Sequence, residues 1–184
     1  MHAIPWAVGL FALLISAAAD LKHRIIPNEL VVLVAASGLA LSLGSRPEEA
    51  WINLLAAALV FFGLGLFAHY ELIGGGDVKL ISAATLLVPP AQIGLLLSQI
   101  AIAGGVLGCL YLTAHHALKR VPVPQSDKAE IGHSGSGLAR LVRNERARII
   151  AGEPMPYALA VSGGVASYLI RELAQCFSAM SSLL

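Results

Sequence analysis

The sequence predicts an all-α polytopic membrane protein: a bundle of six transmembrane helices with the N-terminus and C-terminus on the periplasmic side. Three observations carry that expectation. Of 184 residues, 57% are hydrophobic and only 12% are charged, with a mean hydropathy of +0.78. A soluble domain carries about 25% charge, so this chain could not cover its surface with polar groups. The apolar residues gather in runs of membrane-spanning length, and the basic residues gather in alternate loops.

Stretches free of Asp, Glu, Lys and Arg run from Ala3 to Ala19, Leu30 to Ser45, Ala50 to Tyr70, Leu80 to Leu118, and Pro154 to Ile170. A helix crossing about 30 Å of hydrocarbon needs roughly 20 residues, and about 17 suffice. The Leu80 to Leu118 run is 39 residues long and holds Pro89-Pro90, which cannot continue a helix. It therefore reads as two spans, giving six. With the N-terminus outside, the inner segments hold Lys22, Arg24, Lys79, Lys119, Arg120, Lys128, Arg140, Arg143, Arg146 and Arg148; the outer segments hold Arg46 and Arg171. Lys and Arg of short loops stay cytoplasmic, and ten against two fixes the predicted orientation. Ala17-Ala18-Ala19 resembles a signal-peptide cleavage site, but the run lacks a basic n-region and its charges, Lys22 and Arg24, follow it. We expect it to be retained as the first span.

The long polar insertion, 119–153, is expected to be a cytoplasmic basic loop between the fifth and sixth spans of a single membrane domain, 1–184. It holds a His133-Ser-Gly-Ser-Gly137 hinge. Beyond the hinge Leu138, Leu141, Val142, Ile149 and Ile150 alternate with arginines. That pattern suits a short helix on anionic headgroups, and a solvated loop accounts for it equally. Twelve basic against eleven acidic residues exclude the basic excess of a nucleic-acid binder. Cys109 and Cys176 stand singly, so neither a thiolate metal site nor a disulfide framework is indicated.

Chemistry concentrates on two aspartates. Asp127 lies in the polar loop, whereas Asp20 ends the first apolar run and Asp77 opens the fourth. Acids at such edges are functional candidates, because a carboxylate in a bilayer is expensive. Asp20 follows one crossing and Asp77 three, so both are expected at the cytoplasmic boundary, where they can pair. Two carboxylates sharing a site cannot both ionise cheaply, so the pair holds one proton over part of the pH range. Aspartic peptide hydrolysis requires that arrangement: one acid takes a proton from water while the other donates to the scissile carbonyl. Sequence does not say which does which. Lys22 and Lys79 leave their helices on other faces, and we expect both to snorkel to headgroups. Gly74-Gly75-Gly76 can either turn the chain between spans or leave backbone groups free for an extended substrate, and a helix starting at Asp77 would aim its positive end at the site.

Gly74-x-Gly76-Asp77 is a GxGD motif, and Asp77-Val-Lys-Leu-Ile-Ser-Ala-Ala84 resembles the start of the fourth helix of type IV prepilin peptidases. Asp20-Leu-Lys-His-Arg-Ile-Ile-Pro27-Asn28 is similar to that family's other aspartate motif, and Pro154-Met-Pro-Tyr157-Ala-Leu-Ala to the opening of the last helix in short members serving Flp/Tad-type pili. The resemblance spans about Ile15 to Ala166. It implies that Asp20 and Asp77 are a catalytic pair, with Gly74, Gly75, Gly76, Pro27 and Asn28 as substrate-binding or motif residues. They would cut the leader from a prepilin or pseudopilin precursor at the cytoplasmic face of the bacterial inner membrane. Long members carry an N-terminal domain with CxxC pairs and methylate the product. This chain has no such cysteines, so no methyltransferase activity, no cofactor and no metal are expected. A monomer is favoured over an oligomer.

Other chemistries fit less well. HExxH is absent, and His115-His116 are adjacent, so their rings diverge on a helix. Ala160-Val-Ser-Gly163 lacks the first glycine of a serine-protease turn. A scaffold or a small proton- or cation-coupled transporter using the same acids is the alternative of another class. Transporters often show internal repeats, and only Ala19-Asp-Leu-Lys22 and Gly76-Asp-Val-Lys79 echo one another. Gly104-Gly105-Val-Leu-Gly108, Gly63-Leu-Gly65 and Gly163-Gly164 are expected to permit close helix packing.

Overall fold

The computed structural model describes residues 3–45, 47–120, 146–149 and 155–181, all helical or connecting, with no strand among them. The helices are α1 (Ala3–His23), α2 (Asn28–Ser45), α3 (Ala50–His69), α4 (Gly75–Thr85), α5 (Ile93–Arg120) and α6 (Tyr157–Ser181), with 3-10 turns at Pro47–Glu49 and Pro90–Gln92. Four stretches are long and apolar enough to cross a bilayer: Ile4–His23, Asn28–Ser45, Pro47–His69 and Pro90–Ala117. Their large outward side chains are apolar, with Val32, Leu59 and Phe62 exposed by 65%, 65% and 73%. In water that surface would be untenable; against lipid it is the expected one. The chain divides into two compact units, 1–104 with 156–184, and 105–155. Most of the polar insertion, including its hinge, lies outside the described residues.

Within the first unit α1 packs on α2 and α6, and α4 is enclosed by α2, α3 and α6. Leu13, Val34, Leu80, Leu87, Val88, Leu96, Val161 and Val165 form the buried centre. The Ser162 hydroxyl reaches both Ala158 O and Leu13 O at 2.9 Å, tying α6 to α1. Gly164 permits a close crossing, since a Cβ there would lie 2.6–2.8 Å from Ile100. The packing expected at Gly63 and Gly65 is not found: a Cβ at either meets nothing within 4 Å among the described residues.

The fourth helix departs from expectation. It begins at Gly75, before the apolar run, and ends at Thr85, four residues ahead of Pro89. Its 11 residues cover about 16 Å, too little for a crossing by itself. The chain then tapers through i→i+3 bonds, Leu86 N to Ala83 O, Leu87 N to Ala84 O and Val88 N to Thr85 O. The carbonyls released by this early ending need donors, because hydrocarbon offers none. Asn53, 1% exposed in α3, supplies them: its amide donates to Val88 O at 3.0 Å, Leu86 O at 3.4 Å and Ser42 Oγ at 2.8 Å.

Candidate active site

Asp20 lies in the last turn of α1 and is 6% exposed. The helix closes with Arg24 at φ 57°, its amide bonded to Asp20 O at 2.9 Å. A left-handed residue is the usual helix stop, but glycine normally fills it. Here an arginine does, at a cost of about 1 kcal/mol. Pro27 then starts α2: its carbonyl accepts Leu30 N at 3.2 Å and Val31 N at 3.4 Å. Asn28 Oδ1 accepts the Lys79 ammonium at 3.2 Å. That exposed bond ties α2 to α4.

Asp77 sits in the first turn of α4, after Gly74 in extended geometry (φ −66°, ψ 136°). The glycines do not serve left-handed backbone, since none has a φ in that region. Their use is spatial. A Cβ on Gly74 would lie 2.8 Å from Asp77 Oδ2, so the first glycine leaves room for the carboxylate of its own motif. Gly75 faces open space. A Cβ on Gly76 would stand 3.5 Å from Ile26 Cδ1, which is ordinary contact and seats the α4 start on the loop between Asp20 and Pro27. The two aspartate motifs therefore meet at one end of the unit. Asp77 is outside the four membrane-length stretches, and its carboxyl is raised to about 6, first by burial and then by the charge of Asp20.

A third segment reaches the pair. α6 starts behind Pro156, and its second residue, Ala158, donates its backbone N–H to Asp20 Oδ2 at 3.0 Å. Tyr157, the residue before it, is half-buried. Gly104 of α5 makes space for that ring; a Cβ there would be 3.2 Å from Tyr157 Oη. Ala158 lies within the Pro154-Met-Pro-Tyr157-Ala-Leu-Ala stretch, but the group it contributes is a backbone amide that every residue except proline has, so its side chain gives no sign of the contact. Among the described residues no three His, Cys, Asp or Glu gather to hold a metal.

Two acids in electrostatic contact, one buried and hydrogen-bonded and one half-buried beside open glycine backbone, can divide the work of proton removal and donation. Neither the curated proteins nor the solved structures contain a match to the chain. A family model does match, across residues 7–112, a stretch that includes all of α1 after its first four residues, α2 to α4, both aspartate motifs and most of α5. The chain belongs to the Type IV leader peptidase family.

Proposed function

We propose that this protein is an aspartic endopeptidase that removes the leader from Flp/Tad-like type IV prepilins, with Asp20 and Asp77 as its catalytic pair. The observation that carries this reading is the meeting of the two aspartate motifs, where Ile26, six residues after Asp20, packs on Gly76, the neighbour of Asp77. One protonated and one ionised acid are what water-mediated peptide hydrolysis needs. The backbone of Gly75, facing open space, is the edge along which an extended leader would lie, while Pro27 and Asn28 hold α2 and Lys79 in register with it.

We read the chain as one membrane domain with six crossings, the fourth beginning at Leu80, after Asp77, and continuing through the turn at Val88. The basic segments then lie in the cytoplasm, both termini in the periplasm, and the acids at the cytoplasmic face of the inner membrane. The enzyme acts without cofactor or metal, as a monomer, and leaves the new N-terminus unmethylated. Purified protein should therefore cleave a co-reconstituted precursor with a basic leader before an apolar helix. Mass spectrometry should find one cut and no added methyl group, and an intact precursor would refute the peptidase reading.

A further inference from the structure

Which acid is the base follows from their unlike surroundings. An N–H pointing at a carboxylate favours the ionised form, and the start of a helix adds the positive end of its dipole. Asp20 has both, because Oδ2 accepts the amide of Ala158 in the first turn of α6, and these two offset its burial at 6% exposed, which by itself favours the neutral form. The next amide, Leu159 N, turns back to Pro156 O at 3.3 Å, so neighbouring amides are separately engaged. Asp77 lies beside Gly74, and no hydrogen bond to its carboxylate occurs among the described residues.

We propose that the first turn of α6 is a third part of the catalytic site, in which the Ala158 amide positions Asp20 as the base and leaves Asp77 as the acid. This rests on the peptidase reading. Asp20 takes a proton from water as the water oxygen bonds to the scissile carbonyl carbon. The carbonyl oxygen gains the displaced electron pair and takes the proton of Asp77, giving a gem-diol. The C–N bond then breaks as its nitrogen takes the proton from Asp20. One diol hydroxyl returns its proton to Asp77 and becomes the new carbonyl, which restores both acids. Other ionisable groups at this end of the packed elements are Lys22, His23 and Arg24 on and after α1, Glu29 on α2, His69, Tyr70 and Glu71 at and after the end of α3, Lys79 on α4 and Tyr157 on α6. Lys79 is engaged by Asn28.

The test replaces the Ala158 amide by an ester, using lactic acid incorporated at that position, which deletes the N–H and keeps the side chain. The same exchange at Leu159 is the control. Cleavage of a reconstituted precursor is followed against pH. At Ala158 the ester should lower kcat on the order of tenfold with KM nearly unchanged. It should also move the low-pH limb, set by the base, upward by about one unit. The Leu159 ester should move neither. If the Ala158 ester leaves kcat and both limbs in place, or moves the high-pH limb instead, the assignment is overturned. Loss of folded protein without a limb shift would mark the contact as structural and also overturn it. A wild-type protein that cleaves nothing would overturn the peptidase reading itself, which separates the two failures.

Discussion

Asp20 and Asp77 are the same side chain in opposite settings. Asp20 closes a long apolar helix, is buried, and is held by an amide from a helix 138 positions away in sequence. Asp77 opens a helix of 11 residues, is half-buried, and has glycine on the side where its carboxylate turns. The difference teaches that burial, a helix start and a missing Cβ can give two identical carboxylates unlike surroundings within one membrane fold.

Removing either acid tests the comparison with the largest effect. Asp20→Asn and Asp77→Asn should each lower precursor cleavage by about three orders of magnitude with the fold intact. A variant cleaving at the wild-type rate would end the dyad account. Gly74→Ala comes next. Its φ suits alanine, so folding is spared, but the new methyl must displace Asp77 Oδ2, and kcat should fall about 100-fold. Gly75→Ala adds a methyl in open space that leaves Asp77 alone, so it should act on the leader instead, raising KM with kcat nearly unchanged.

Asn53→Ala tests the scaffold rather than the acids. It strips donors from the Leu86 and Val88 carbonyls and should cost about 2 kcal/mol of stability in detergent unfolding, with activity per folded molecule unchanged. The pH dependence is milder. Asp77 is raised to about 6, so its folded form prefers the proton. Its contribution to stability is full below the ordinary 3.8 and is lost as pH rises through about 6. Cleavage should decline over the same upper interval as the acid ionises. Lys79→Met breaks only an exposed hydrogen bond to Asn28 and should change stability by less than about 1 kcal/mol.

The helices were legible because lipid allows apolar runs no other reading, and both aspartates stood out because acids at span ends are costly. The ends of elements were less so. α4 stops at Thr85 because Asn53, 33 positions from Leu86, can satisfy the carbonyls that follow, a long-range fact hidden from the local Pro89-Pro90 signal. The turns after α1 and α3 place Arg24 (φ 57°) and Glu71 (φ 59°) where glycine would have announced a stop. The Ala158 contact was invisible for another reason: a backbone amide leaves no mark in side-chain chemistry.

The central claim is one proton held between two acids, and infrared titration of the protein in membranes measures it. The wild type minus Asp77→Asn difference should show a protonated carboxyl band that disappears with a midpoint at about 6. In Asp20→Asn that midpoint should fall, yet stay above 3.8, because burial persists when the neighbouring charge is gone. No band near pH 5, or a midpoint indifferent to Asp20, would contradict the account.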